Sequence, residues 1–364
     1  MSVKKRIAIL TGGGDCPGIN AVIRAVAKKA ILEHAMEIIG IEDGYGGLIH
    51  NRHRRLSYDS VSGILTLGGT ILGASKISNP YRYPRQKGTA VVFRDVSKTA
   101  IRTARALDID ALVCIGGDGT LGIAHRLLKD GLPVVGVPKT IDNDLRGTDI
   151  TFGFDSAVAI ATEAVDRIHT TAQSHHRVMI VEVMGHKAGW IALFAGVAGG
   201  GDIILIPEIP YTVEAVAAKI RERSRKGRRF SIIVIAEGAK PRGGEVVIKK
   251  MVKKSADPVR LGGISFVLQD QVEKAVGVET RSVVLGHLQR GGSPTAFDRI
   301  LATQLGAKAV DLVVRREFGR MVAVQDGAIT TVSLEIPAAG PRLVPPDHPL
   351  IAAARAIGTS FGDE

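Results

Sequence analysis

A β-branched run that ends in glycines and passes into an amphipathic stretch recurs along the sequence, and this repetition restricts the fold more than any other feature. It is the pattern of βα units in open, mostly parallel sheets, because parallel strands need a crossover and the crossover helix must lay an apolar face on the sheet. Arg6 to Leu10 opens the first unit, with Gly12 to Gly14 as its turn and Asn20 to Ile31 as its helix. Ala111 to Ile115, Gly116 to Gly119 and Thr120 to Leu128 repeat the pattern, and Val134 to Val137 then runs into Pro138. Further strands are expected at Val178 to Val183, Ile203 to Ile206, Ser231 to Ala236 and Ser282 to Leu285. Helices are expected near Ser156 to Thr171, Thr212 to Arg223, Ser265 to Ala275 and Thr295 to Val314. The expected class is α/β, and at 364 residues the chain exceeds the size at which one core usually stops growing, so two lobes are expected. Ligands of such sheets collect beyond the carboxyl ends of the strands, where this sequence puts its glycines and carboxylates.

Composition narrows the partners. Hydrophobic residues make up 45% and aromatics only 4%, so the core must rest on Val, Ile, Leu and Ala. A formal charge of +12 admits nucleic acid or small polyanions as ligands. The basic runs Asn51 to Arg55, Arg221 to Arg229 and Lys249 to Lys254 are scattered and lack interleaved aromatics, so they read as solvated faces and not as a nucleic-acid surface. The start, MSVKKRIAIL, reads as a first strand, and no apolar stretch reaches the ~18 residues of a membrane span. Cys16 and Cys114 have no framework spacing, which speaks against a disulfide scaffold or a zinc site and fits a reducing, cytoplasmic compartment.

Three glycine-rich turns carry the first chemical signal: TGGGDCPGIN at Thr11 to Asn20, GGT at Gly68 to Thr70 and GGDGT at Gly116 to Thr120. Glycine lets backbone N–H groups approach a phosphate, and a following helix N-terminus adds partial positive charge; a tight βα turn is the alternative reading of each. Gly68 to Ser75 has the outer spacing of a P-loop but carries Ala74 where the phosphate-binding lysine belongs, and the first turn lacks dinucleotide spacing. PKTIDND, Pro138 to Asp144, sets Asp142 and Asp144 two apart after an apolar strand; on an extended segment both carboxylates would face one side, as a base with a metal or water ligand. A capping or turn aspartate is the plainer reading. Asp118 adds a third acid, and three acids beside phosphate-type turns point to Mg²⁺, which is commonly held by one or two carboxylates plus substrate phosphates. LGHLQRGGSPTAFDR, Leu285 to Arg299, puts His287 and Arg290 on one turn ahead of a glycine pair and a helix start at Ser293 and Pro294.

In that order TGGGDCPGIN, GGDGT, PKTIDND, EVMGHKAGWIA, IAEG and LGHLQRGGSP resemble the phosphofructokinase family from the first strand nearly to the end. The resemblance implies a two-lobed fold with open, mostly parallel sheets flanked by helices and the active site between the lobes, 1–153 with 289–339 forming the larger and 154–288 with 340–364 the smaller. It implies a cytoplasmic, glycolytic kinase that phosphorylates fructose 6-phosphate at C1 with Mg²⁺, in a homo-oligomer whose subunits share sites. By position, Asp142 looks like the base for the C1 hydroxyl, supported by Thr140 and Asp144. Asp118 resembles the Mg²⁺-associated carboxylate, and Gly14, Gly119 and Thr120 match donor-binding positions. Met184, Gly185 and Glu237 match sugar-contacting positions, and Arg177, Arg281, His287 and Arg290 those that grip the 6-phosphate, the first two from a neighbouring subunit. Lys76 and His186 stand where arginine is frequent near the transferred group, with Lys139 or Lys187 able to compensate. Of the effector positions, Arg24, Lys28, Lys226 and Arg228 are basic, whereas Tyr58 and His169 replace arginines. The donor signature is mixed: Gly119 is of the ATP type and Lys139 of the pyrophosphate type, and the space glycine leaves favours ATP over pyrophosphate.

Overall fold

The computed structural model describes residues 5–88, 90–252, 254 and 258–364. The start before Lys5, and Lys253 of the Lys249 to Lys254 run, lie outside the described residues.

Two parallel sheets organise the chain. The larger has seven strands in the order Ala328–Ser333, Arg320–Gln325, Val134–Pro138, Ala111–Gly116, Arg6–Thr11, Glu37–Ile41, His53–Leu56. All neighbours run parallel except the two edge strands, His53–Leu56 and Ala328–Ser333. The smaller sheet is wholly parallel in the order Thr280–Val284, Val178–Val183, Ser231–Ala236, Ile203–Leu205. Central strands such as Ala111–Gly116 and Ser231–Ala236 are buried at every residue, as expected of parallel strands covered on both faces.

The expected strands all form, each within a residue or two of its expected bounds. Helices start earlier or run longer than expected: Ile19–His34, Asp118–Lys129, Phe154–His175, Val213–Arg225 and Ile264–Val276. One helix start needs correcting. The helix after the glycine pair is Ala296–Val314, within a residue of the expected Thr295 to Val314; it starts behind Thr295, whose hydroxyl accepts the Asp298 N–H at 3.3 Å, and not at Ser293 and Pro294.

One apolar core runs through both sheets: Ile9, Val113 and Val137 of the larger sheet and Val181 and Val234 of the smaller belong to a single buried cluster, bridged by Phe154, Ala157 and Ala161 of the helix Phe154–His175. Asp298, fully buried, pins that bridge by accepting the Ser156 N–H at 2.8 Å and its hydroxyl at 2.6 Å. Among the described residues no helix is long and apolar enough to cross a membrane. Cys16 and Cys114 are buried free thiols, both pushed up to about 12 by burial. The Asn51 to Arg55 run pairs with acids, Arg52 with Asp43 at 2.9 Å and Arg55 with Glu37 at 3.3 Å.

Candidate active site

The carboxyl ends of three adjacent strands in each sheet open onto one cavity of about 940 Å³. From the larger sheet come Gly13 and Gly14, then Gly117 to Thr120, then Lys139, Thr140, Asp142 and Asp144; from the smaller come Met184 and His186, Glu237, and His287 with Arg290. This is the location that parallel sheets favour, because strand ends and helix starts leave backbone N–H groups unpaired there.

The larger-sheet wall is tightly built. A Cβ on Gly14 would lie 2.7 Å from Arg290 Nη1 and 3.2 Å from Lys76 Cε, so glycine is what admits both cations to the turn. A Cβ on Gly116 would lie 2.3 Å from the Thr120 side chain, which seats the start of the helix Asp118–Lys129 against its strand. Asp118 is the first residue of that helix, and its Oδ1 accepts the Gly119 N–H at 2.6 Å. Lys139 is only 3% exposed and donates from Nζ to the Gly14 carbonyl. Burial lowers its pKa, with the Arg290 guanidinium adding to the effect. Lys76 reaches the same cavity and is likewise lowered, first by the desolvating walls and then by Arg290 and Arg260. Arg290 in turn donates to the Asp15 carbonyl at 3.0 Å, while its Nε is buried without a partner. Lys76, Lys139 and Arg290 converging on one glycine turn describe a seat for phosphate oxygens.

PKTIDND does not run extended as its spacing suggested. Asn143 takes a left-handed conformation at φ 51°, so the chain bends after Asp142, yet both carboxylates still line the cavity. Asn143 is held by the Thr151 N–H, which donates to its Oδ1 at 3.0 Å. The Asp142 N–H donates to Thr140 Oγ1 at 3.0 Å, and Asp142 Oδ1 is buried with no hydrogen-bond partner. Asp144 is pushed up to about 7, mainly by burial and then by the negative charges of Asp142 and Asp118. Glu237, across the cavity, is also pushed up to about 7 by burial and by Asp142; its Oε1 accepts the His186 N–H at 3.1 Å.

Among the described residues no group of three or more His, Cys, Asp or Glu could hold a metal ion by itself. The donor set nevertheless suits Mg²⁺ bound jointly with a phosphate ligand, which needs one or two carboxylates and leaves its other positions to phosphate and water. Asp118 is exposed on the cavity, and the mutual repulsion that raises Asp144 is what a cation would relieve.

Gly185 stands between two lining residues at φ 146°, with the Ala188 carbonyl 2.4 Å from where a Cβ would be. Arg177 and Arg281 are not brought to this cavity. They sit at the amino ends of their strands, where Arg177 Nε meets Glu279 Oε2 at 2.6 Å and Arg281 Nη2 meets Glu279 Oε1 at 2.5 Å. The Lys249 to Lys254 run is solvent-exposed over Ile248–Met251, as expected of a solvated face, but Lys249 and Lys250 also border the cavity together with Arg260, from the hairpin of Ile248–Met251 and Val259–Leu261. That hairpin had no legible signal. Two other unanticipated residues did. Glu182 is a lone acid inside the apolar strand Val178–Val183, and its carboxylate accepts the Gly263 and Ser265 N–H groups at 2.8 and 2.9 Å. Gln289, fully buried beside Arg290, accepts the Met184 N–H at 3.3 Å.

Glycine turns, cations and facing carboxylates in one cleft make the chemistry that of phosphoryl transfer, which asks for positioning and charge neutralisation more than covalent help. The family model described as Phosphofructokinase matches residues 6–313. The chain is 52% identical over 361 residues, 99% of both sequences, to a Clostridium perfringens protein named ATP-dependent 6-phosphofructokinase 2. It is 51% identical over 343 residues, 94% of this chain and 97% of the other, to the pyrophosphate–fructose 6-phosphate 1-phosphotransferase of Amycolatopsis methanolica. The crystal structure of Pichia pastoris phosphofructokinase in the T-state matches with a TM-score of 0.79 at 31% identity, covering 100% of this chain and 37% of that one. The chain belongs to the phosphofructokinase family, as an enzyme of the 6-phosphofructokinase type.

Proposed function

We propose that the enzyme transfers the terminal phosphoryl group of ATP to the C1 hydroxyl of fructose 6-phosphate, giving fructose 1,6-bisphosphate in glycolysis, in the cytoplasm. The observation that carries this reading is the carboxylate of Asp142, which lines the cavity together with Lys76, Lys139 and Arg290 and whose buried Oδ1 has no hydrogen-bond partner. A carboxylate oxygen kept free of protein donors is available to accept the proton of a substrate hydroxyl as its oxygen bonds to phosphorus and the bond to the leaving phosphate breaks. Thr140 and Asp144 support Asp142. Gly14, Lys76, Gly119, Thr120 and Lys139 cradle the donor phosphates. Met184, Gly185, His186 and Glu237 contact the sugar, and His287 and Arg290 hold its 6-phosphate. Mg²⁺, held by Asp118 with the donor phosphates, supplies neutralisation of the charge they carry. The division into 1–153 with 289–339 and 154–288 with 340–364 makes the first lobe the donor side and the second the sugar side. Arg177 and Arg281 grip the 6-phosphate in a neighbouring copy's site, which requires a homo-oligomer.

For the donor, a Cβ on Gly119 would meet nothing within 4 Å, so open space adjoins the turn where the rest of a nucleotide must extend. Pyrophosphate is the second reading, favoured by the buried ammonium of Lys139 and by the name of the Amycolatopsis relative. Measuring kcat/KM for ATP and for pyrophosphate at saturating fructose 6-phosphate and Mg²⁺ separates them. Higher efficiency with ATP is expected, and higher efficiency with pyrophosphate would overturn the donor assignment.

A further inference from the structure

Pro341 to Val344 lies outside every motif that suggested a function, yet it is stitched to the loop that carries Asp142 and Asp144. The Arg342 N–H donates to the Asp144 carbonyl at 2.7 Å. Its guanidinium donates to the Asn143 carbonyl from Nε at 3.3 Å and from Nη2 at 3.1 Å, and Nη2 also reaches the Asp149 carbonyl at 2.8 Å. On the other side the segment is fastened to the smaller-sheet half. The guanidinium lies 4.3 Å from the Trp190 ring centre, Trp190 Nε1 donates back to the Arg342 carbonyl at 3.0 Å, and the Val344 N–H donates to Glu208 Oε1 at 2.9 Å. Glu208 also accepts the Gly189 N–H at 3.0 Å. Pro341 itself lines the cavity.

We infer that Arg342 is a positioning residue for the transfer reaction, holding the peptide between the two carboxylates from outside the cavity; the inference rests on assigning Asp142 and Asp144 to catalysis. Asn143 is the residue that needs holding. A side chain other than glycine at positive φ stores strain that the surroundings must over-determine. Here the bend it makes aims Asp142 into the cavity, and the Asn143 carbonyl is fixed by one planar fork. Lysine cannot replace that fork: it is a point charge on a flexible stem, and it offers no second donor in fixed geometry for Asp149. Because the same guanidinium is sandwiched on Trp190, the position of the loop is referred to the half of the molecule that holds the sugar-contacting residues.

The test is steady-state kinetics of Arg342→Ala, Arg342→Lys and Trp190→Phe at saturating donor and Mg²⁺, with thermal midpoints measured alongside. A misplaced reacting group costs turnover and leaves substrate binding intact, so Arg342→Ala should lose about 10- to 100-fold in kcat with KM for fructose 6-phosphate within about threefold. Arg342→Lys should recover less than half of the lost activation free energy, and Trp190→Phe should show a smaller loss in the same direction. If Arg342→Ala does not fold, Arg342→Lys alone decides, with a kcat at least about threefold low expected. Folded Arg342→Ala or Arg342→Lys with wild-type kcat, or a raised KM at unchanged kcat, overturns the inference. A normal kcat in Asp142→Ser would instead remove the assignment on which it rests, and the two failures are thereby distinguished.

Discussion

The two walls of the cavity are built differently. On the larger-sheet side Lys139, Thr140 and Asp142 are 3%, 8% and 8% exposed, each fixed by bonds within the chain. On the smaller-sheet side His287 is exposed, Met184 and His186 are half-buried, and two of the three arginines assigned to the acceptor phosphate, Arg177 and Arg281, sit at the amino ends of their strands, paired with Glu279. On the proposed roles, the difference teaches that the wall where charge would develop in the transition state is preorganised in a single chain. On the same proposal, the wall that would recognise the acceptor phosphate needs a neighbouring copy to complete it. Preorganised charge is where most electrostatic catalysis comes from, and an exposed phosphate grip can be supplied by a partner at little folding cost.

The largest expected effect breaks the first wall. Asp142→Ser should lose roughly 10²- to 10⁴-fold in kcat while fructose 6-phosphate still binds, since a general base typically contributes that much. Isothermal titration beside the assay checks it, and a near-normal rate would remove Asp142 from the role. Next come Arg177→Ala and Arg281→Ala, which should raise KM for fructose 6-phosphate by roughly 10- to 100-fold, the loss expected of a charge-assisted hydrogen bond, with little change for the donor. Equal effects on both substrates would erase the distinction between the walls.

The smallest effect is in stability. Asp144 and Glu237 have folded pKa values raised to about 7, so the folded state keeps protons that the unfolded chain releases near pH 4. The sign follows: their ionisation costs nothing below the unfolded value, the cost grows as pH rises toward 7, and it is fully present above 7. Asp144→Asn should therefore stabilise the protein by about 1 to 2 kcal/mol at pH 8 and by almost nothing at pH 4, read from denaturant midpoints at the two pH values. An equal gain at both would mean that the carboxyl is not strained by its neighbours.

The sequence made the inner parallel strands legible because each is a short β-branched run ending in a glycine turn, and those ends are the active cleft. The edges were less legible. Arg320–Gln325 and Ala328–Ser333 form a hairpin through Asp326 and Gly327, both at positive φ, and that Asp-Gly pair between alternating runs was a readable signal. The Ile248–Met251 hairpin was not readable, because a run of lysines beside the cavity has the same composition as a run in water. The carboxylates of PKTIDND line the cavity, as expected, but not on the extended segment that their spacing suggested. The bend at Asn143 is bonded by Thr151, eight residues on, and by Arg342, far along the chain, and neither residue carries a local pattern that announces the contact.

The contrast between the walls is tested most directly by mixing the Asp142→Ser and Arg281→Ala proteins under conditions where subunit exchange is verified independently. Each is expected to be nearly inactive alone at low fructose 6-phosphate. If Arg281 serves a neighbouring copy, some mixed assemblies contain a site with both residues intact, and the mixture should recover activity well above the mean of the two parents. Activity no greater than that mean, with exchange demonstrated, would show that the acceptor grip is built within one chain and would contradict the account.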